Sequence, residues 1–226
     1  MFDYVTTGSL AQSRGIIMRV RRLVAAGAAV LLSGTLAVTT VGPAQADSSL
    51  GTRSLAEVLA KDGSGFDHNW RDYDIVDNAV GAVLAAKPGS AVGVLADGKT
   101  PVTAFLPDDR AFRILVRDLT GKKPRTEKQT FQAVAALGID TVETVLLYHV
   151  VPGTRINYRQ ALKADGVRLT MASGGIVRVD VRKGNRVKLL DADRNDANPR
   201  IVRKNINKGN RQIAHGINRV LRPVNL

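Results

Sequence analysis

Apolar residues in the middle of the chain follow a helical pattern. Between Tyr73 and Leu84 they recur every three or four positions, which places them on one face of a helix. Pro88-Gly89 ends this helix, because proline lacks a backbone N–H and glycine tolerates a turn. Polar side chains at helix-capping spacings predict the starts of three further helices. They are Asp108-Asp109, Thr126 with Gln129, and Asp140 with Glu143.

Strand patterns dominate the last third of the chain. Val177, Val179 and Val181 alternate with Arg178, Asp180 and Arg182. This period of two is typical of a strand that buries one face. Lys183-Gly184-Asn185 predicts a turn, after which Val187 and Leu189 continue a return strand. Because helical patterns precede the hairpins, the order predicts an α+β domain rather than a parallel α/β fold.

The N-terminus has the pattern of an export signal. Four arginines between Arg14 and Arg22 precede an uncharged stretch from Leu23 to Val41, and Ala44-Gln45-Ala46 follows. This order predicts an N-terminal extension and signal peptide over residues 1–46, cleaved after Ala46, with Met1 or Met18 as the start. The alternative is an uncleaved membrane anchor, and Arg21-Arg22 leaves the export route open between the general and the twin-arginine pathway.

Three regions follow from these patterns. After the signal peptide, residues 47–70 are polar and glycine-spotted, which predicts a flexible leader. Residues 71–226 then form a single domain. The sequence shows no second apolar stretch of spanning length, so we expect no stable membrane insertion after cleavage and a secreted or envelope-associated product.

Positive charge is concentrated in the last third of the chain. The net charge of the whole chain is +13, but residues 47–154 hold twelve Lys and Arg against fourteen Asp and Glu, and residues 155–226 hold seventeen against five. Such a surface attracts polyanions, and its alternative interpretation is an ordinary solvated face. The candidate polyanion-binding residues are Arg178, Arg182, Lys183, Arg186, Lys188, Arg200, Arg203, Lys204, Lys208 and Arg211.

Residues with the spacing of a known catalytic or metal site are missing from the sequence. It contains no Gly-x-Ser-x-Gly elbow, no phosphate-binding loop and no cysteine, and its three histidines have no metal-ligand spacing. Asp191, Asp193 and Asn195 begin like a calcium loop, but Asp196 and Val202 occupy its glycine and glutamate positions, so a polar turn is favoured. We therefore expect no enzyme activity, no cofactor and no metal.

Three short motifs follow one another along the chain in an order that resembles a known family. The first runs from Thr103 to Phe112, the second is Tyr148-His149 followed by Pro152-Gly153, and the third runs from His215 to Pro223. In this order they resemble the fasciclin domain, although Asn218 stands where that family usually carries Asp. The resemblance implies an α+β fold, a wedge-shaped β-sandwich with flanking helices, and a role in adhesion.

Tyr148, His149 and His215 allow two interpretations. In animal relatives the Tyr-His element is implicated in recognising cell-surface receptors, so the resemblance makes it a candidate adhesion motif. The apolar residues on both sides of Tyr148-His149 favour a structural role, in which the ring packs inside and the imidazole bonds a buried backbone group.

The sequence thus favours an exported bacterial protein that binds and does not catalyse. Its expected partner is an anionic polymer of the envelope or matrix, or a surface protein, contacted by the basic last third. Nucleic acid is not expected, because the chain is exported and this region lacks aromatic residues for base stacking. The alternative is a carrier of a small apolar ligand, a lipid or pigment, held between the helices and the sandwich.

Overall fold

The computed structural model describes residues 50–63 and 65–224, so the signal peptide and its cleavage site lie outside the described residues. The helices are α1 (Leu55–Leu59), α2 (Asp74–Ala86), α3 (Asp109–Thr120), α4 (Glu127–Ala135), α5 (Ile139–Leu147) and α6 (Tyr158–Ala161), with 3-10 turns at Ala60–Asp62 and Ala91–Ala96. The strands are β1 (Val102–Pro107), β2 (Val150–Pro152), β3 (Arg168–Thr170), β4 (Ile176–Arg182), β5 (Arg186–Leu190), β6 (Ile201–Ile206) and β7 (Gln212–Ile217).

Two of the three predicted helix caps are confirmed. The Asp108 carboxylate accepts a hydrogen bond of 2.8 Å from the backbone N–H of Ala111 and begins α3. Thr126 and Gln129 form a reciprocal capping box at the start of α4. The third prediction is wrong, because Gly138 precedes α5 without a side-chain cap. Asp140 instead pairs with Lys87, the residue that follows α2.

The seven strands named above form two sheets. One has the order β2-β1-β7-β6 and the other β3-β4-β5. Within the first sheet β1 and β7 are parallel, in a register from Val102 opposite Gln212 to Pro107 opposite Ile217. The other strand pairs are antiparallel. The chain therefore returns after more than a hundred residues to lay its last strand beside its first.

The two central strands of the first sheet are buried on both faces. Every residue of β1 and β7 is buried, which requires cover above and below. Ala104 and Leu106 belong to a core shared with α2, α3 and α5, whereas Phe105 belongs to a second core shared with β3, β4 and β5. This confirms the expected α+β architecture, with helices against one face of the sheet and the second sheet against the other.

The segment predicted to be a flexible leader is folded where the structure describes it. Leu55 on α1 is fully buried, and its backbone N–H donates to Oε1 of Gln212 at 2.8 Å. Gly51 pairs with the backbone between β6 and β7, donating to the carbonyl of Gly209 and accepting from Arg211. The prediction of a flexible leader is therefore wrong for Gly51 and for α1, which are held by residues more than 150 positions away.

No single helix within residues 50–63 and 65–224 is long and apolar enough to cross a membrane. Only the pair α4 and α5 passes that test together, and the two are bent by 104°.

Tyr148 and His149 lie inside the domain. Their exposed fractions are 1% and 5%, and the Tyr148 hydroxyl donates to the carbonyl of Ile176 at 2.9 Å. The His149 Nδ1 lies 2.7 Å from the carbonyl of Val145, while Nε2 accepts from the N–H of Leu221 at 2.9 Å. These two partners require the neutral imidazole with its proton on Nδ1. Burial lowers the pKa of His149 to about 4.

His215 is used in the same way on β7. Its Nε2 donates to the carbonyl of Ile156 at 2.9 Å, and its Nδ1 accepts from the N–H of Asn205 at 3.3 Å. The side chain is fully buried, and burial lowers its pKa. Both histidines therefore satisfy backbone groups between strands and loops, which supports the structural interpretation of these motifs.

The docking of α1 predicts a stability effect. Leu55→Ala should lower the free energy of unfolding by about 2–5 kcal/mol, because it empties a fully buried site. Leu119→Ala is the control, since Leu119 is 40% exposed and its truncation should cost about 1 kcal/mol or less. Urea unfolding of both variants measures the difference. Equal stability of the two variants would show that α1 is not part of the folded domain.

Burial of neutral His149 predicts a pH effect. Its folded pKa of about 4 lies below the ordinary 6.5, so the unfolded chain takes up the proton first as the pH falls. The stability that His149 contributes is therefore present above pH 6.5 and decreases by about 3 kcal/mol down to pH 4. The stability advantage of the wild type over His149→Gln should shrink by that amount between pH 7 and pH 4. Exposed His68→Gln should show no such convergence, and parallel curves for all three proteins would contradict this assignment.

Candidate functional site

A cleft of about 510 Å³ opens beside the carboxyl ends of β1 and β7. Five arginines from four parts of the chain line it, together with one tyrosine, one carboxylate and one amide. Those polar lining residues are Arg71, Arg110, Arg200, Arg203, Arg219, Tyr73, Asp108 and Asn218. We refer to this site as the arginine cleft.

Backbone contacts set the walls of the arginine cleft. The N–H of Arg110, in the first turn of α3, donates to the carbonyl of Trp70 at 3.0 Å and holds the Arg71 segment against that helix. On the opposite wall, the N–H of Arg200 donates to Oδ1 of Asn218 at 2.9 Å. In one wall Arg110, just after β1, is thus bonded to Trp70, and in the other Asn218, just after β7, is bonded to Arg200.

Tyr73 forms the floor of the cleft. Its hydroxyl packs over Gly216 of β7, where an added Cβ would lie 2.2 Å from the phenolic oxygen. The guanidinium of Arg203 lies 5.9 Å from the centre of the Tyr73 ring. Burial raises the pKa of Tyr73, so the phenol stays neutral and adds no negative charge.

The cleft carries excess positive charge. Arg219 is neutralised by Asp196 at 2.9 Å, but no ion pair of residues 50–63 and 65–224 involves Arg71, Arg110, Arg200 or Arg203. Asp108 is the carboxylate among the lining residues, and burial raises its pKa to about 6. Asn218 adds no charge at the position where the fasciclin motif usually has Asp. The arginines therefore outnumber the single carboxylate among the lining residues, and this excess of positive charge favours an anion.

The candidate residues named from the sequence do not form one surface. Arg200 and Arg203 line the cleft, while Lys204 lies with its Nζ 4.2 Å from the ring centre of Tyr158 and Arg211 is half-buried beside α1. Lys208 is exposed in the turn before β7. A second group lies on the hairpin of β4 and β5, in the other sheet. Its members are Arg178, Arg182, Lys183, Arg186 and Lys188.

Sequence reasoning missed three of the cleft arginines. Arg71 and Arg110 belong to the part of the chain whose net charge is slightly negative, and Arg219 lies within the last motif. The available signal for two of them was their position, because Arg110 comes three residues after the end of β1 and Arg219 two residues after the end of β7. Only the parallel pairing of these strands brings them together.

The carboxylates of the possible calcium loop bind arginines instead. Asp193 pairs with Arg222 at 3.1 Å, and Asp196 pairs with Arg219 at 2.9 Å. Arg222 also reaches Asp118 on α3 at 2.8 Å. This network ties the segment after β7 to α3 and supports the polar-turn interpretation of Asp191–Asp196.

The space between the helices and the first sheet is small. An apolar cavity bordered by α2, α3, α4 and α5 has a volume of about 30 Å³, which is room for roughly one water molecule. Ligand pockets for lipid-sized or pigment-sized molecules typically need ~300 Å³ or more. The described structure therefore gives no support to a carrier of an apolar ligand at this place.

The chain is similar to the solved structure of a FAS1 domain pair from the insect cell adhesion molecule Fasciclin I, with 16% identity and a TM-score of 0.47, over 67% of this chain and 48% of that one. It thus spans about half the length of that domain pair. A search of the curated proteins found no match. The model of the Fasciclin domain matches residues 81–223, more than half of the chain, and the chain therefore belongs to the fasciclin family of cell-adhesion-type modules.

Proposed function

We propose that this fasciclin protein is an exported, non-enzymatic adhesion module that binds an anionic polymer of the cell envelope or matrix through the arginine cleft. Fasciclin domains are adhesion-type modules and are typically extracellular or on the cell surface. The observation that carries the proposal is the convergence of five arginines from four segments on one cleft, four of which form no salt bridge among the described residues.

Arginine suits this role for a physical reason. The guanidinium group is planar and binds carboxylate, sulfate or phosphate oxygens through paired N–H groups, which gives both affinity and geometry. The cleft is partly enclosed, so an anion inside it is less screened by salt than one on an open surface. A polymer with repeated acidic groups fits such a row of arginines.

Nucleic acid is a poorer partner for this cleft. Binding of single strands uses exposed aromatic rings on which bases stack. Tyr73, the aromatic residue of the cleft, is only 9% exposed and lies beneath Arg203. A surface protein with an acidic segment remains the second kind of partner that the same arginines suit.

Charge reversal in the cleft provides the first test. Arg110→Glu with Arg200→Glu should weaken binding to a sulfated polysaccharide such as heparin at least about tenfold, because two charge-assisted contacts become repulsive. The matched control is Arg178→Glu with Arg186→Glu on the hairpin, which changes the net charge equally. Affinity measured by biolayer interferometry at several salt concentrations should fall with salt for the wild type.

Two outcomes would contradict the cleft as the binding site. Equal losses in both double variants would show that only net charge matters. No wild-type binding to heparin or to polygalacturonate, a polymer of carboxylates, would remove the anionic polymer as partner. In that case an acidic surface protein would be the partner left to examine.

Export is tested separately. Protein recovered from the medium or envelope of its own host should begin at Asp47, as measured by intact mass. Ala46→Phe should block cleavage, because the peptidase requires a small residue there, whereas Gln45→Phe should be processed normally. Recovery of an uncleaved chain in the wild type would contradict the signal peptide.

A further inference from the structure

A group of buried carboxylates lies behind the floor of the arginine cleft. Asp72, Asp109 and Glu127 have exposed fractions of 4%, 0% and 1%. Asp72 belongs to the segment before α2, Asp109 begins α3 and Glu127 begins α4. Burial of several carboxylates at one place is costly unless positive charge or protons compensate them.

One oxygen of each of these carboxylates receives no hydrogen bond. Within residues 50–63 and 65–224, no donor reaches Oδ1 of Asp72, Oδ2 of Asp109 or Oε1 of Glu127. The second oxygen is bonded in two of them, since Asp109 Oδ1 accepts from the N–H of Ile75 at 3.0 Å and Glu127 Oε2 from that of His68 at 2.9 Å. The carboxylates are thus held in place while one oxygen of each stays unsatisfied.

No basic side chain neutralises the group. None of the ion pairs in the part of the chain that the structure describes involves Asp67, Asp72, Asp109 or Glu127. Burial, together with the neighbouring carboxyl of Asp72, raises the pKa of Asp109. A proton on Asp109 is shared with Asp72 through a hydrogen bond between the two carboxyl groups, whereas Oε1 of Glu127 has no hydrogen-bond partner among the described residues.

The spacing of the oxygens fits a cation. One oxygen each from Asp67, Asp72 and Glu127 lies within 4.8 Å of the others, and Asp72, Asp74 and Asp109 form a second group of the same dimensions. Calcium binds oxygen at about 2.3–2.6 Å, so ligands of one ion lie no more than roughly 5 Å apart, and both groups meet this condition. Magnesium binds at about 2.0–2.1 Å in a strict octahedron and usually keeps several waters with only one or two carboxylates, so a group of three carboxylates suits calcium better.

We propose that Asp67, Asp72 and Glu127 bind a calcium ion. Of the two groups this one is reachable, because Asp67 is exposed and leaves room for the water molecules that complete a coordination shell. Asp72 lies between Arg71 and Tyr73, so an ion at this position also fixes the backbone that carries one wall and the floor of the cleft. The site itself does not depend on the proposed function.

Direct binding measurements test the calcium site. Chelator-treated wild-type protein should bind one Ca²⁺ by isothermal titration calorimetry, and Mg²⁺ much more weakly. Tb³⁺, a luminescent substitute for Ca²⁺, should emit on excitation of Trp70, the single tryptophan of the chain, which is two residues from Asp72. Competition with Ca²⁺ should remove this emission. No calcium heat and no terbium emission would overturn the proposal, and equal binding of Mg²⁺ would overturn the choice of calcium.

Variants separate a metal site from a merely structural acidic cluster. Glu127→Gln and Asp72→Asn should each weaken Ca²⁺ binding about tenfold or more, because each removes a charged ligand. The matched control is Glu57→Gln, the same chemical change at an exposed position on α1. Calcium should raise the melting temperature of the wild type and of Glu57→Gln, but not of Glu127→Gln.

The same melting curves contain a second readout. Without calcium, Glu127→Gln should melt at or above the wild-type temperature, because it removes a buried charge that nothing compensates. Wild-type calcium affinity in Glu127→Gln and Asp72→Asn would overturn the assignment of these ligands. Wild-type melting that is unchanged by calcium would point to carboxylates that are only protonated and would overturn it as well.

Discussion

The parallel pairing of β1 with β7 is the contact on which the rest of this domain depends. Both strands are buried on both faces, so they separate the helical core from the core between the two sheets. The Gln212 side chain at the start of β7 also holds α1, because its amide oxygen accepts from the backbone N–H of Leu55. Its amide nitrogen donates to the carbonyls of Val94 and Asp97 and so fixes the side chain. Because parallel strands end at the same edge of a sheet, the residues after β1 and after β7 lie side by side. The arginine cleft is built at that edge.

Within two short segments, some residues line the arginine cleft while their neighbours in sequence belong to the buried carboxylate group. In the stretch before α2, Arg71 and Tyr73 face the cleft while Asp72 belongs to the buried carboxylate group. At the start of α3, Asp108 lines the cleft and Asp109 belongs to the carboxylate group. Neighbouring residues thus belong to two different sites, the cleft and the carboxylate group. An excess of positive charge in the cleft and of negative charge behind it are two consequences of the same local backbone.

The parts of the fold that were predictable are those decided by neighbours in sequence. The apolar face of α2, the Asp108 cap and the Thr126–Gln129 capping box follow from contacts within one turn of helix, and the alternation in β4 follows from the pleat. The Asp140 prediction failed because a distant Lys87 binds that carboxylate. The flexible-leader prediction failed for the same kind of reason, since α1 is only five residues long and is held by the distant Gln212.

By itself, the sequence determined the α+β class, the fasciclin resemblance and the basic character of the last third, because composition, periodicity and motif order are local properties. Only the tertiary structure decided which basic residues act together. It joined Arg200 and Arg203 to Arg71, Arg110 and Arg219 in the cleft, whereas none of the hairpin residues lines it. It also placed Asp72 and Glu127, 55 positions apart in the sequence, within one possible coordination shell. Long-range strand pairing and helix packing fix these distances, so they cannot be predicted from the pattern of residues along the chain.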